Sequence, residues 1–210
     1  MSEAGIIVAD DAYLRGLREV CDRNGALLFF DEVQTGYGRT GTFLAQEHSG
    51  VVPDACSLAK GIAAGFPMGA VAVREDLAGA LPPGSHASTF GGNPVACAAA
   101  LAVLDAMDDE SMIENAAVRG AYLAARLAAL AADPEIPALE ARGKGLLRGL
   151  VLPDHLDPAS VLDELRERGV LLSRVGGQVL RFSPALNITL KELADGLDVV
   201  ERTLRAALRR

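Results

Sequence analysis

The sequence predicts an α/β protein: part of a parallel sheet flanked by helices, followed by a smaller α+β domain. Three observations carry this. Short apolar runs at 26–31, 55–59 and 68–73 lie between turn-forming residues, as buried strands do. Capped helical segments alternate with them. Hydrophobic residues make up 50% of the 210-residue chain and the mean hydropathy is +0.23, enough for a substantial core and too apolar for disorder.

The elements follow in order. Residues 5–9 form a short apolar segment, read as a first strand. Asp10 or Asp11 caps a helix that places Tyr13, Leu14, Leu17, Val20 and Cys21 on one face, and Asn24-Gly25 ends it. A buried parallel strand over 26–31 then stops on Asp31-Glu32. Open α/β sheets bind ligands beyond the carboxyl ends of their strands, which is where Asp31 would stand. The glycine-rich stretch 36–41 is not a phosphate-loop pattern, and 43–48 carries a short helical signal. A second apolar run ends on Lys60, and 68–73 reads as a further buried strand. Asn93-Pro94 opens a helix over 95–107 that is apolar nearly all round, so it is expected to be buried.

The composition shifts near Asp108-Asp109, where a domain boundary is expected between residues 1–108 and 109–210. Ser111 and Glu114 have the form of a capping box before a long alanine-rich helix, closed by Pro134 and Pro137. Strands are predicted at 146–152, 170–173 and 179–183, the last two joined by a turn at Gly176-Gly177. Asp157-Pro158 caps a helix ending at Gly169, and Thr189 with Glu192 forms a second capping box before the terminal helix.

Composition also excludes functions. A net charge of -8, no Trp and no basic stripe argue against a nucleic-acid surface. Cys21, Cys56 and Cys97 are odd in number and widely spaced, which fits reduced thiols. His48, His86 and His155 share no metal-ligand spacing, so no metal site is expected. The first residues lack the features of a signal peptide and no segment reaches membrane-spanning length, so a cytoplasmic protein without membrane contact is expected.

The chemistry rests on Asp31 and Lys60, two charges that end apolar runs. A lysine beside an apolar crevice can form an imine with a carbonyl carbon, and an aspartate can keep a pyridinium nitrogen protonated. Pyridoxal phosphate needs both. From the residues alone, Lys60 could equally stand at a surface turn and Asp31 cap a loop.

Four blocks carry a family resemblance: Asp31-Glu32-Val33-Gln34-Thr35-Gly36, Gly38-Arg39-Thr40-Gly41, Leu58-Ala59-Lys60-Gly61 and Thr89-Phe90-Gly91-Gly92-Asn93-Pro94. In order and spacing they resemble the class III aminotransferases, and among these the acetylornithine and ornithine enzymes. The resemblance implies a fold-type-I, aspartate-aminotransferase-like protein that uses pyridoxal 5'-phosphate. The N-terminal domain would then be part of the large cofactor-binding domain. Asp31 would pair with the pyridine nitrogen, Val33 pack on the ring and Gln34 lie near the ring hydroxyl. Lys60 would form the imine with the cofactor and later act as general acid and base. Thr89 would reach the cofactor phosphate across a homodimer interface, and Arg181 would grip the substrate α-carboxylate. Taken singly, Val33 could be ordinary core, Gln34 a loop amide, Thr89 a turn hydroxyl and Arg181 the partner of a surface acid.

The implied reaction passes an amino group from an ornithine-like ω-amine, such as that of N-acetylornithine in arginine biosynthesis, to 2-oxoglutarate. Ser2-Glu3-Ala4-Gly5 resembles the tail of a Gln-Gly-Glu-Ala-Gly block that lies mid-chain in the family. The chain is therefore expected to be a C-terminal half. It would lack the phosphate cradle, a ring-stacking aromatic, several strands and a glutamate near the substrate-binding arginine, and would work with an N-terminal half. Two alternatives accompany this: a non-catalytic remnant or assembly subunit, and a related aminomutase. Gln34 and the 38–41 block favour the transaminase over the aminomutase.

Overall fold

A computed structural model describes residues 1–135 and 140–208. They form two compact units. One is Ala9–Ile113; the other joins Met1–Val8 to the chain from Glu114 onward. The division falls a few residues past the expected boundary, and the first eight residues belong with the C-terminal part.

No strand forms over 5–9. Gly5 and Ile6 take φ values of 109° and 58°, which break an extended chain. In the 9–113 unit, helix α1 (Asp11–Asn24) starts where the Asp10 carboxylate accepts from the Ala12 amide and stops at left-handed Gly25. Strand β1 (Phe29–Asp31) follows, then a single 3-10 turn at Ala45–His48. Strand β2 (Ala55–Leu58), a turn at Lys60–Ala63, strand β3 (Ala70–Val73) and helix α2 (Pro94–Asp109) complete the unit. Asn93 caps α2 through the Ala96 amide, with Pro94 behind it.

The sheet order is β1-β2-β3, with β1 parallel and β3 antiparallel to β2. The strands read as buried at 26–31 and 68–73 are exposed; for 26–31 this is the apolar edge expected of a chain that lacks neighbouring strands. Only β2 has a neighbour on each side; β1 and β3 are edges, and Leu27, Phe29 and Val71 are 64%, 53% and 60% exposed. Helix α2 is likewise not buried all round. Ala96, Ala100 and Met107 are covered, while Val95 and Leu101 face solvent. The unit's small core is Ile62, Ala63 and Ala100, with Tyr37, Leu58 and Met68 packed against it.

The second unit is built differently. Helix α3 (Met112–Ala131) precedes strands β4 (Glu140–Lys144) and β5 (Leu147–Val151), then helix α4 (Pro158–Glu167). Strands β6 (Ser173–Val175) and β7 (Val179–Phe182) and helix α5 (Leu190–Leu208) follow. Ser111 takes φ 48°, away from the extended geometry of an N-cap, so the first capping box is not seen in its expected form. The second is: the Glu192 amide donates to the Thr189 hydroxyl, and the Thr189 amide to the Glu192 carboxylate. Asp157 caps α4 through the amides of Ala159 and Ser160. Pro137, expected to help close α3, lies outside the described residues.

This sheet runs β4-β5-β7-β6, all antiparallel. Strand β4 was not expected, and β6 begins at Ser173 rather than at Val170. The predicted hairpin turn at Gly176-Gly177 is present, both residues at positive φ. One sheet face presents Leu150, Leu180 and Phe182 to a core with Leu123 and Leu127 of α3, Val161 and Leu165 of α4, and Leu197, Val200 and Leu204 of α5. The other face buries Leu147, Val175 and Val179 beneath Ile6.

Candidate active site

Two elements of the 9–113 unit bring Asp31 and Lys60 to the same end of the sheet. Strands β1 and β2 are parallel, with Asp31 opposite Ser57, so both chains leave the sheet in one direction. Asp31 ends β1. Its Oδ1 accepts from the Val33 amide at 3.0 Å and from the Ser57 hydroxyl at 3.3 Å. Two donors on one oxygen fix the carboxylate and leave its other oxygen for a ligand. Asp31 is exposed rather than buried, because an edge strand covers it from one side only.

Lys60 follows just beyond β2. It takes φ 55°, a left-handed geometry that is uncommon outside glycine and that clusters at functional positions. Ile62 and Ala63, buried with Ala100 of α2, anchor the turn that carries it. Lys60 is exposed rather than set in an apolar crevice, as the sequence suggested, so a rigid turn presents its side chain to solvent.

Val33 and Gln34 are half-buried in the turn after β1. Glu32, whose role the sequence left open, holds that turn. Its Oε1 accepts from the Gln46 amide at 2.9 Å, its other oxygen accepts from the Thr35 hydroxyl, and its carbonyl accepts from the Gly36 amide. Gly36 suits the turn: a Cβ would sit 3.0 Å from both the Glu32 carbonyl and the Leu58 side chain, a tight contact. Burial first, and the Glu32 charge second, push the Cys56 thiol above its usual pKa, so it stays protonated. Burial also pulls Arg39 below the usual arginine value. Thr89 stands exposed in the loop that Asn93 joins to α2.

Arg181 belongs to the second unit. In β7 it lies opposite Gly149 of β5 and Ser173 of β6, two small residues that leave its guanidinium room. Its Nε donates to the Ser173 hydroxyl at 2.9 Å and its Nη1 to Glu3 Oε1 at 2.7 Å. The expectation that no glutamate would stand near this arginine is therefore corrected: Glu3 stands beside it. The Ser2-Glu3-Ala4-Gly5 resemblance was the available signal. The separation of 178 residues hid the pairing.

Asp31, Val33, Gln34, Lys60 and Thr89 lie in one unit and Arg181 in the other. Among the described residues no group of three or more His, Cys, Asp or Glu could hold a metal ion, and no helix is long and apolar enough to cross a membrane. The donor set fits part of a pyridoxal-type cofactor: a held carboxylate for a ring nitrogen and a lysine side chain for a carbonyl carbon.

An oriented carboxylate and an imine-capable amine at the carboxyl ends of adjacent parallel strands make a site for carbonyl and amine chemistry. The chain belongs to the class-III aminotransferase family, whose signature matches residues 1–204. The acetylornithine aminotransferase of Methanosarcina mazei is 46% identical over 200 residues, covering 95% of this chain and 49% of that protein. The succinylornithine transaminase of Salmonella enteritidis is 44% identical, covering 93% and 48%. In structure, the ornithine aminotransferase of Toxoplasma gondii superposes with a TM-score of 0.92 at 38% identity, covering 98% of this chain and 49% of that one. Partial occupancy of its active site by PLP is described for that protein. The acetylornithine aminotransferase of Elizabethkingia anophelis gives a TM-score of 0.87 at 34% identity, covering 96% and 54%. The expected fold class is thus borne out, and the chain spans about half the length of the curated relatives it matches.

Proposed function

We propose that this chain forms part of a cytoplasmic class-III aminotransferase. The enzyme would move an amino group from an ornithine-like ω-amine, such as N-acetylornithine, to 2-oxoglutarate. The observation that carries the reading is the placement of Asp31 and Lys60 beyond the carboxyl ends of adjacent parallel strands. The relatives that act on acetylornithine and succinylornithine support the donor class. The cofactor part of the site belongs to residues 1–108, chiefly the 9–113 unit. The smaller domain, 109–210, carries Arg181.

Pyridoxal 5'-phosphate, when bound, supplies an electron-withdrawing ring that draws electrons from the donor carbon and carries the amino group. The chain's residues supply the rest. Asp31, oriented by the Val33 amide and the Ser57 hydroxyl, holds a proton on the ring nitrogen by charge-assisted hydrogen bonding. Val33 would pack on the ring, Gln34 would lie near the ring hydroxyl, and Thr89 would reach the phosphate of a cofactor held across a dimer interface. Lys60 would hold the cofactor through its amine and would serve as general base and then general acid for the proton moved during transfer. Arg181 binds a substrate carboxylate by two parallel hydrogen bonds. Its present partner, Glu3, is 68% exposed and can turn away.

Leu27, Phe29, Val71, Val95 and Leu101 are all uncovered, and all lie in the 9–113 unit. Isolated domains rarely leave this many large apolar side chains uncovered on edge strands and a helix. This favours a working form in which a polypeptide carrying the N-terminal half, or a second copy in a homodimer, covers that surface. A non-catalytic assembly subunit would use the same surface.

The test mixes the purified chain with pyridoxal 5'-phosphate, alone and with the N-terminal half of a curated relative. Visible absorbance of the bound cofactor and glutamate formed from N-acetylornithine and 2-oxoglutarate are recorded. The expected result is a bound-cofactor band that Lys60→Ala abolishes. No band in either preparation refutes the reading. A band without glutamate formation leaves the assembly subunit as the better account.

A further inference from the structure

The loop that delivers Glu3 is itself held by a built anchor. Ile6 is a β-branched residue at φ 58°, a conformation that costs energy and persists only where surrounding structure enforces it. Its side chain is buried among Leu147, Val175 and Val179. Gly149 makes the seat: a Cβ there would come within 3.2 Å of Ile6 and 2.8 Å of Val179. Gly149 is also the cross-strand partner of Arg181, so the Ile6 peg lands directly beside the arginine.

Further contacts hold the loop. Arg142 Nε donates to the Gly5 carbonyl at 2.8 Å. The Ile6 and Gly5 amides donate to the Ser2 carbonyl, closing a turn around Glu3. At Gly176 a Cβ would lie 2.7 Å from the Ala4 carbonyl, so the β6–β7 turn accepts the loop only because it has no side chain there.

We propose that Ile6 and Arg142 are positioning residues. They hold the loop so that Glu3 covers Arg181, and so set how readily Arg181 accepts a free carboxylate. The inference rests on the reading of Arg181 as a carboxylate site. Glu3 and an incoming carboxylate compete for the same guanidinium. Holding Glu3 in place raises its local concentration at Arg181 and weakens capture of the ligand, while exposure of the Glu3 side chain lets it yield. Loosening the loop therefore tightens carboxylate binding.

The test uses the full chain, isotopically labelled, with Arg181 guanidinium signals assigned through Arg181→Lys and glutarate as the probe. In the ligand-free chain, Arg142→Gln and Ile6→Ala are expected to speed exchange of the Arg181 guanidinium protons about tenfold, the equivalent of one charge-assisted hydrogen bond. Glutarate affinity should rise by a similar factor, bounded by the rise in Glu3→Gln. Arg142→Lys should restore part of both effects, and adding Arg142→Gln to Glu3→Gln should change neither further. If Ile6→Ala disturbs the sheet, Arg142→Gln carries the test, since it removes no buried apolar group.

The inference is overturned if Arg142→Gln leaves both readouts at wild type while Glu3→Gln moves them. If even the Glu3→Gln chain binds no glutarate, Arg181 is not a carboxylate site. The positioning claim is then still decided by the ligand-free exchange, which needs no ligand.

Discussion

Thr203→Val should stabilise the C-terminal unit, although it removes a polar group from the centre of a helix. Thr203 lies in α5 with 0% exposure, beside Val200 and Leu204 of the main core. Its hydroxyl is buried and has no hydrogen-bond partner among the described residues. A buried hydroxyl without a partner costs about 1–3 kcal/mol. Valine has nearly the same shape and helix propensity, so neither packing nor backbone preference changes much. Its extra methyl adds apolar burial of about 0.8 kcal/mol. The net expectation is a gain of about 2 kcal/mol, seen as a rise of about 4–8 °C in Tm by the usual scaling for a chain of this size. The assay is thermal and urea unfolding followed by circular dichroism, with Thr203→Ser as control. Serine keeps the orphan hydroxyl and loses a methyl, so it should destabilise by about 1 kcal/mol. A loss of 1 kcal/mol or more in Thr203→Val would refute the reasoning. It would mean the hydroxyl has a partner, an ordered water or the carbonyl one turn back.

Asp54 gives a pH dependence. Its buried carboxylate accepts from the Leu28 amide, from Arg18 at 2.7 Å and from Arg74. The Leu28 bond, and Arg18 after it, hold its pKa below the usual carboxylate value. A folded pKa below the unfolded one gives stability that is present above about pH 4 and lost as pH falls through the folded value. The urea midpoint of the 9–113 unit should therefore fall on acidification below about pH 4, and Asp54→Asn should flatten that dependence. Gly120→Ala would place a Cβ 2.5 Å from the Gly145 backbone, which has no flexible group to move aside. It should cost at least about 1–3 kcal/mol in thermal unfolding. Amide hydrogen exchange should be slowest at Leu150 and Leu180, in central strands over the closed core, and faster at Phe29 and Phe30 on the β1 edge. Equal protection at both places would contradict the edge assignment.

Local signals made much of the fold legible. Asp10, Asn93, Asp157 and Thr189 each end or cap what their side chains predict, because a cap is decided within a few residues. Burial was not legible in the same way. Leu27 to Phe30 and 95–107 have core composition, yet composition reports only what a segment can bury and not whether a neighbour arrives to bury it. Strand β4 escaped for the opposite reason. Glu140, Arg142 and Lys144 read as surface, but backbone pairing with β5 makes the strand. The 5–9 segment looked like a strand because its apolar run is real; Ile6 uses it as a peg across 140 residues of sequence.

The site divides along the same line. Asp31 and Lys60 could be found because each closes an apolar run, a one-dimensional signal that parallel pairing turns into one place. Arg181 could be suspected from its own motif. Its pairing with Glu3, however, joins residues 178 positions apart, and the resemblance around Glu3 marks one partner without announcing the pair. The pair depends on a register in which Gly149 and Ser173 flank the arginine, and on a loop whose shape needs a strained isoleucine. Strain of this kind cannot be read from propensity, since propensity argues against it. An energetically unfavourable φ at a β-branched residue means that the contacts fixing it outweigh its cost. The first eight residues are therefore better understood as part of the face that carries Arg181 than as the opening of the sheet.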